Sequence, residues 1–366
     1  MRVAVTLEQL WHRVPGGTAR AAIDVAAAVA ARGDVDQIGV AARHDGPPDE
    51  PWVSPIELRH LPLPRLALYE AWHGLRRPRV ERATGPVDVV HATGVAVPPR
   101  SAPLVVTVHD LAVLHDPGHF TRHGVRFLRR AIDLTRRDAD LVLCSSAATV
   151  ADCERAGFRA ERLRQVPLGV EVAPASPDDV ARVRATHGLE GGYLLFVGTV
   201  EPRKNLTTLL DAVARLDPAV VPRLVLVGPT GWGDDLGARI AALGDRCRPL
   251  GFVPAADLPG LYAGAAAFCY PSLLEGFGLP VLEAMAQGTP VVTSTGTATE
   301  ELVAGGAGIA VDPRDPDAIA GALHRVVTDP ALAAELAAVG RRRAAEHTWA
   351  RTAELTVAAY REAAGR

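Results

Sequence analysis

Short apolar runs alternate with helix-period segments along the whole chain, and this pattern predicts parallel sheets covered by helices. RVAVTL at 2–7 leads into a loop with Gly16 and Gly17 and then an Ala-rich helical stretch ending near Gly33. QIGVAAR at 37–43, IELRHL at 56–61, VDVVHA at 87–92, PLVVTVHD at 103–110 and DLVLCSS at 140–146 complete a first set of strands. Several are apolar at consecutive positions, as strands buried on both faces must be. After VPLGV at 166–170 the pattern restarts with YLLFVG at 193–198. It continues through RLVLVG at 223–228, RPLGFV at 248–253, AAFCYPS at 266–272, PVVTS at 290–294 and GIAVD at 308–312. The chain is therefore expected to be α/β, with two doubly wound domains at 1–172 and 189–345 joined near 171–190, and a last helix at 346–366 as a candidate to cross back to the first domain. Ligands of such sheets bind outside the carboxyl ends of the strands, so a substrate is expected in a cleft where two such ends face each other.

Composition narrows the function classes. At 366 residues, 48% hydrophobic and 22% charged, the chain can bury two cores without disulfide or metal staples. A formal net charge of −3 argues against nucleic acid as the main partner. The start runs from Met1 straight into RVAVTL, and no apolar run approaches the roughly 18 residues of a membrane span, so a cytoplasmic protein is expected. Cys144, Cys153, Cys247 and Cys269 show no CxxC spacing, which points to buried reduced thiols. The Asp-x-Asp pairs Asp34/Asp36, Asp138/Asp140 and Asp315/Asp317 precede strands or sit in a turn before a helix. None is placed to hold a cation at a strand end, so neither a metal nor another cofactor is expected.

One bias is local. Of 39 Lys and Arg only Lys204 is a lysine, and the only asparagine is its neighbour, Asn205. Either this is chance, or a compact mobile ammonium is required at that point. Arg203 and Lys204 follow the strand YLLFVG and precede a helix near Leu206, a position suited to charge-assisted contact with a diphosphate. PSLLEGFGLPVLEAMAQGTPVV at 271–292 places Glu275 beside Gly276 and Gly278, Pro280 at a helix start, and Glu283 after seven intervening residues. A Gly-containing turn into a helix N-terminus offers backbone N–H groups to a phosphate. Carboxylates there make sense as acceptors for sugar or ribose hydroxyls. A surface acid and a capping acid are the plain alternative.

EGFGLPVLE at 275–283, joined to GTVEPRKN at 198–205, resembles the retaining nucleotide-sugar glycosyltransferases of family 4, which have the GT-B fold of two Rossmann-like domains. The Gly pair, TVHDL at 107–111 and VPLGV at 166–170 match in order, so the resemblance covers essentially the whole chain. EPRKN and TVHDLAVLHDPGHF look most like the bacterial polysaccharide mannosyltransferases, which points to GDP-mannose. The resemblance implies that Arg203 and Lys204 bind the donor diphosphate and that Gly16 and Gly17 let the backbone approach it. It implies that Glu275 and the amides of Gly276, Phe277 and Gly278, with Leu279 beside them, hold the sugar, and that Glu283 binds the ribose. His109 would serve the transferred sugar, with Asp110 orienting it or shaping the acceptor site. His109, Asp110 and Glu275 are the catalytic candidates. Two positions depart from the family: Thr299 stands where many members have Pro, ahead of Glu300, and Thr199 stands where some have Arg.

No strong nucleophile is visible, so the expected chemistry is same-face attack with the leaving diphosphate neutralised by Arg203, Lys204 and a helix end. The nucleotide sugar is a substrate, and the acceptor is a glycan, a lipid-linked molecule or a small molecule. A non-catalytic GT-B scaffold and a UDP-sugar transferase or epimerase are the alternatives. A pyridoxal-phosphate phosphorylase would need a second lysine, and hydride transfer would need GxGxxG where the chain has VPGGTAR. RHGVRFLRRAIDLTRR at 122–137 and LRRPRVER at 75–82 are Arg-rich, and are read either as peripheral contacts with the inner membrane face or as solvated surface.

Overall fold

The computed structural model describes residues 1–171, 173–221, 223–229 and 236–366. Position 172, where the sequence places the end of the first domain, lies outside the described residues. The chain divides into two compact units, Met1–Gly169 with Trp349–Arg366, and Val170–Thr348.

The first unit is a seven-stranded parallel sheet built from β1 (Arg2–Thr6), β2 (Asp36–Ala41), β3 (Leu58–His60), β4 (Val89–Ala92), β5 (Leu104–Val108), β6 (Leu141–Cys144) and β7 (Leu163–Gln165), in the order β3-β2-β1-β4-β5-β6-β7. Alternate residues of each strand feed two cores. Ala4, Val90, Val106 and Val142 face one, and Val3, Val5, Val89, Val105 and Leu141 face the other. The Trp349–Ala364 helix belongs to this unit and packs Ala353, Val357 and Tyr360 into the second core. β7 has no counterpart among the expected strands. It is an edge strand of three residues in which Arg164 and Gln165 supply no apolar run.

The second unit is a six-stranded parallel sheet of β8 (Tyr193–Val197), β9 (Arg223–Val227), β10 (Cys247–Gly251), β11 (Ala267–Tyr270), β12 (Val291–Ser294) and β13 (Ile309–Val311), in the order β10-β9-β8-β11-β12-β13. β11 and β12 are buried at every position; β11 is apolar throughout, and in β12 the buried Thr293 hydroxyl is satisfied by the Tyr270 carbonyl at 2.9 Å. In both sheets the strand order reverses once, at β1/β4 and at β8/β11. Such switch points open a crevice at the carboxyl edge. All four cysteines are buried and unbridged, with Cys144 and Cys153 Sγ atoms 3.8 Å apart. Among the described residues no helix is long and apolar enough to cross a membrane.

Candidate active site

In the second unit the switch point is occupied by the two motifs singled out in the sequence. β8 ends at Val197, and Gly198 then meets Gly228, the residue that follows β9. Gly228 has φ +138°, and a Cβ there would lie 2.1 Å from the Gly198 carbonyl oxygen, so only glycine lets these strand ends touch. A short 3₁₀ turn, Pro202–Lys204, follows, and Asn205 reverses the chain with φ +57° before the Leu206–Arg215 helix. Asn205 Nδ2 donates to the carbonyls of Pro271 (3.0 Å) and Pro313 (2.6 Å), while its Oδ1 accepts from Thr208 at 2.7 Å. One amide thus ties the loop after β8 to those after β11 and β13. The backbone adds a direct link, Leu273 N to Arg203 O at 2.8 Å.

These ties bring Arg203, Lys204 and Glu275 together. Lys204 Nζ donates to Glu275 Oε1 at 2.7 Å and to the Tyr270 hydroxyl at 2.5 Å, and lies 4.8 Å from the Tyr270 ring centre. Arg203 donates from Nη1 to Glu275 Oε2 (3.2 Å) and the Leu274 carbonyl (3.0 Å), and from Nη2 to Glu201 Oε1 (2.7 Å). Lys204 is 8% exposed and the Glu275 side chain likewise 8%. Burial pushes the Glu275 carboxyl up, but Lys204 and Arg203 together outweigh it and hold it down at about 2. Burial pushes the Lys204 ammonium down, against the pull of Glu275. The result is a largely buried cluster of two cations and two carboxylates at the strand ends, with Arg203 its most exposed member.

Beyond Glu275, Gly276, Phe277 and Gly278 are buried, and Gly278 caps the Leu279–Ala286 helix with φ +108° and Pro280 in its first turn. A Cβ on Gly278 would lie 2.5 Å from Thr299 Cγ2. Glu283, one turn into the helix, accepts from the Tyr262 hydroxyl at 2.8 Å.

In the first unit His109 and Asp110 follow β5. His109 Nε2 donates to the Thr93 carbonyl at 3.3 Å, which leaves Nδ1 as the acceptor of a neutral ring. Burial holds the imidazole below its ordinary range, against the Asp110 charge and the Thr93 bond. Asp110 Oδ1 accepts from Ala112 N at 3.0 Å and so shapes the turn. Gly16 and Gly17 are not in a loop but open the Gly16–Arg32 helix. Gly16 has φ +61°, and a Cβ at either would meet nothing within 4 Å. The backbone is open to approach there.

Residues 180–343 match the model described as glycosyl transferases group 1, and residues 15–173 that of glycosyltransferase family 4. The O-antigen chain mannosyltransferase B of Escherichia coli is 35% identical over 287 residues, covering 75% of this chain and 74% of that protein. A D-inositol 3-phosphate glycosyltransferase of Acidothermus cellulolyticus is 32% identical over 379 residues, covering 93% and 84%. This chain belongs to the group 1/family 4 glycosyltransferases. Its fold is GT-B: the crystal structure of HepE from Anabaena in complex with UDP and glucose aligns with a TM-score of 0.77 at 24% identity, covering 98% of each chain.

One of the glycosyltransferase's two departures from its family, Thr299, has a local account. Thr299 Oγ1 meets the hydroxyls of Thr293 and Thr297, each at 2.8 Å, and its methyl packs on Gly278, so a buried hydroxyl chain stands where others have a proline ring. Of the Asp-x-Asp residues, Asp138 pairs with Arg76 and Arg137, Asp140 with Arg100, and Asp315 caps a helix. Arg76 is not surface decoration, for it is bound by Asp138 and by the carbonyls of Trp72, Val97 and Pro98. Glu201, Tyr262 and Tyr270 were not singled out by sequence. Tyr270 reads as one more core residue of AFCY, and only its place beside the lone lysine would have marked it.

Proposed function

We propose that this glycosyltransferase works with retention, moving a hexosyl group from a nucleoside-diphosphate sugar, GDP-mannose by preference, to a hydroxyl of a glycan, lipid-linked or small-molecule acceptor. The observation that carries the proposal is the convergence of Arg203, Lys204 and Glu275 at the β8/β11 switch point. Arg203 and Lys204 neutralise the diphosphate as it leaves. Glu275 aligns both cations and, with Gly276, Phe277, Gly278 and Leu279, addresses the sugar, while Glu283 addresses the ribose. His109, neutral with Nδ1 as acceptor, serves a hydroxyl of the transferred sugar, and Asp110 fixes the turn that holds it. Gly16 and Gly17 leave room for phosphate. The second unit is the donor half and the first the acceptor half. Attack on the face from which diphosphate departs needs no enzyme nucleophile, a phosphate oxygen takes the acceptor proton, and no metal is required.

GDP-mannose is favoured by the likeness to mannosyltransferase B and to an MMP α-(1→4)-mannosyltransferase of Mycolicibacterium hassiacum, 32% identical over 305 residues. A UDP-sugar is the second choice, since HepE has also been solved with UDP-glucose. Peripheral membrane contact belongs to the same proposal. The exposed arginines of the Arg122–Asp138 helix lie on one face, and Leu75 is 77% exposed. Sedimentation with anionic and neutral vesicles tests it, and equal partition would remove it. The reaction is tested by incubating the protein with GDP-mannose or UDP-glucose and following the anomeric signal by NMR. Release of an α-configured product from one donor is expected, and a β-configured product or no turnover of either would overturn the proposal.

A further inference from the structure

Beside His109 and Asp110 the first unit holds a pocket of about 200 Å³. Its wall is formed largely by Val97, Val108, Leu111, Phe120, Leu128 and Ile132. Leu128, Ala131, Ile132 and Thr135 recur at helical spacing on one face of the Arg122–Asp138 helix, whose arginines point the other way. Thr135 and Thr107 spend their hydroxyls inside the protein, while His109 Nδ1 and the second Asp110 oxygen keep acceptor capacity at the polar end of the wall. Thr135 Oγ1 donates to the Ala131 carbonyl at 2.8 Å, Thr107 Oγ1 meets His91 Nε2 at 2.8 Å, Asp110 Oδ1 accepts from Ala112 N, and His109 Nε2 donates to Thr93 O. Against the apolar side chains away from His109 and Asp110, a sugar ring would find few partners for its hydroxyls and would lose those it has in water. An apolar group would lose nothing. A cavity of roughly 150 Å³ lined by aliphatic and aromatic side chains is enough to hold benzene.

We propose that this pocket receives an apolar part of the acceptor, about the size of a benzene ring, carried close to the hydroxyl that is glycosylated. The inference rests on the proposed function for the direction of transfer and on the pocket itself for the chemistry. It narrows the acceptor to an amphiphile, a hydroxyl-bearing head joined to an apolar group, and sets aside a free, wholly polar oligosaccharide.

Three measurements separate the outcomes. Saturation-transfer NMR with benzyl alcohol as the probe is expected to show saturable binding to the wild type and at least about tenfold weaker binding to Leu128→Trp, which fills the pocket. Ile132→Asn reads the same loss should Leu128→Trp fail to fold. No saturable binding, or binding that neither variant weakens, would overturn the pocket's assignment whatever the sugar. Benzyl and methyl α-mannosides, and the matching glucosides, are then compared as acceptors or as inhibitors of transfer. A KM or inhibition constant at least about tenfold lower for the benzyl compound supports the inference, and equal constants contradict it. Transfer of the donor's glycosyl group to water, giving free sugar and nucleoside diphosphate, is followed separately with the wild type, so that an inactive catalytic site is told apart from a pocket that does not bind.

Discussion

Lys204, the only lysine of the chain, donates to Glu275 Oε1 at 2.7 Å from a position 8% exposed, so the first glutamate of the EGFGLPVLE motif is the counter-ion of the loop opposite it. A buried ion pair is balanced only while both partners are present. Lys204→Met should therefore cost about 3 kcal/mol of stability by stranding Glu275, an effect Arg203 at 3.2 Å moderates. Glu275→Gln in the same chain should restore most of it by removing the stranded charge. Transfer should fall about 10²–10³-fold in the single variant and stay low in the double one. Urea midpoints and donor turnover on the four proteins of the cycle check both halves.

Asn205 is expected to be as specific as its neighbour. Asn205→Ala leaves the Pro271 and Pro313 carbonyls without their donor and forces alanine to φ +57°, whereas Asn205→Gly removes the same bonds but tolerates the angle. We expect a loss of about 2–3 kcal/mol for glycine, and about 1 kcal/mol more for alanine. Equal destabilisation would mean the backbone angle costs nothing here.

Gly278→Ala should weaken both stability and nucleotide binding, because its Cβ meets Thr299 Cγ2 at 2.5 Å and φ is +108°. Thr299→Ser keeps the hydroxyl bonded to Thr293 and Thr297 and removes the methyl. Added to Gly278→Ala it should recover part of the loss, the remainder being backbone strain of about 1–3 kcal/mol. Thermal midpoints of the two single variants and the double variant measure the split.

Much of this was legible in the chain because the central strands are buried and largely apolar; of the two edge strands of the first sheet, β3 showed only as part of the run IELRHL, and β7, with Arg164 and Gln165, showed no run at all. Arg203, Lys204, Glu275 and Glu283 were marked by motif and spacing. Their mutual arrangement was not, because residues 71 positions apart meet only through the pairing of β8 with β11. Tyr262 and Tyr270 carry hydroxyls that matter and rings that belong to the core, and sequence shows only the rings. Thr299 looked like a gap in the family pattern until its hydroxyl partners were in place.

Acid should destabilise the first unit well before carboxylates titrate. His91 is buried, bridging the Tyr360 hydroxyl at 2.7 Å and the Thr107 hydroxyl at 2.8 Å, and burial, with His109 nearby, pushes it down to about 3. Between its ordinary 6.5 and about 3 the unfolded chain binds a proton that the folded chain refuses. Stability therefore rises with pH across that window, by about 1.4 kcal/mol per pH unit for one such group. His91→Asn should remove that share of the slope between pH 6.5 and 5. Glu275 acts in a separate and lower window: its depressed carboxyl stabilises the fold above about 4.5, and that contribution fades as the pH falls toward about 2. Urea midpoints across pH for wild type and His91→Asn separate the two.

The most direct test of the donor site is a thermal-shift panel of the wild type and Lys204→Met with GDP, UDP, ADP, TDP and their sugars, with and without EDTA. A nucleotide present at about 100 times its dissociation constant should add about 2.7 kcal/mol to the wild type. We expect GDP and GDP-mannose to raise the wild-type midpoint, EDTA to leave the shift unchanged, and Lys204→Met to lose most of it. If no nucleotide raises the wild-type midpoint, or if Lys204→Met responds as the wild type does, the cluster at Lys204 and Glu275 is not a donor site.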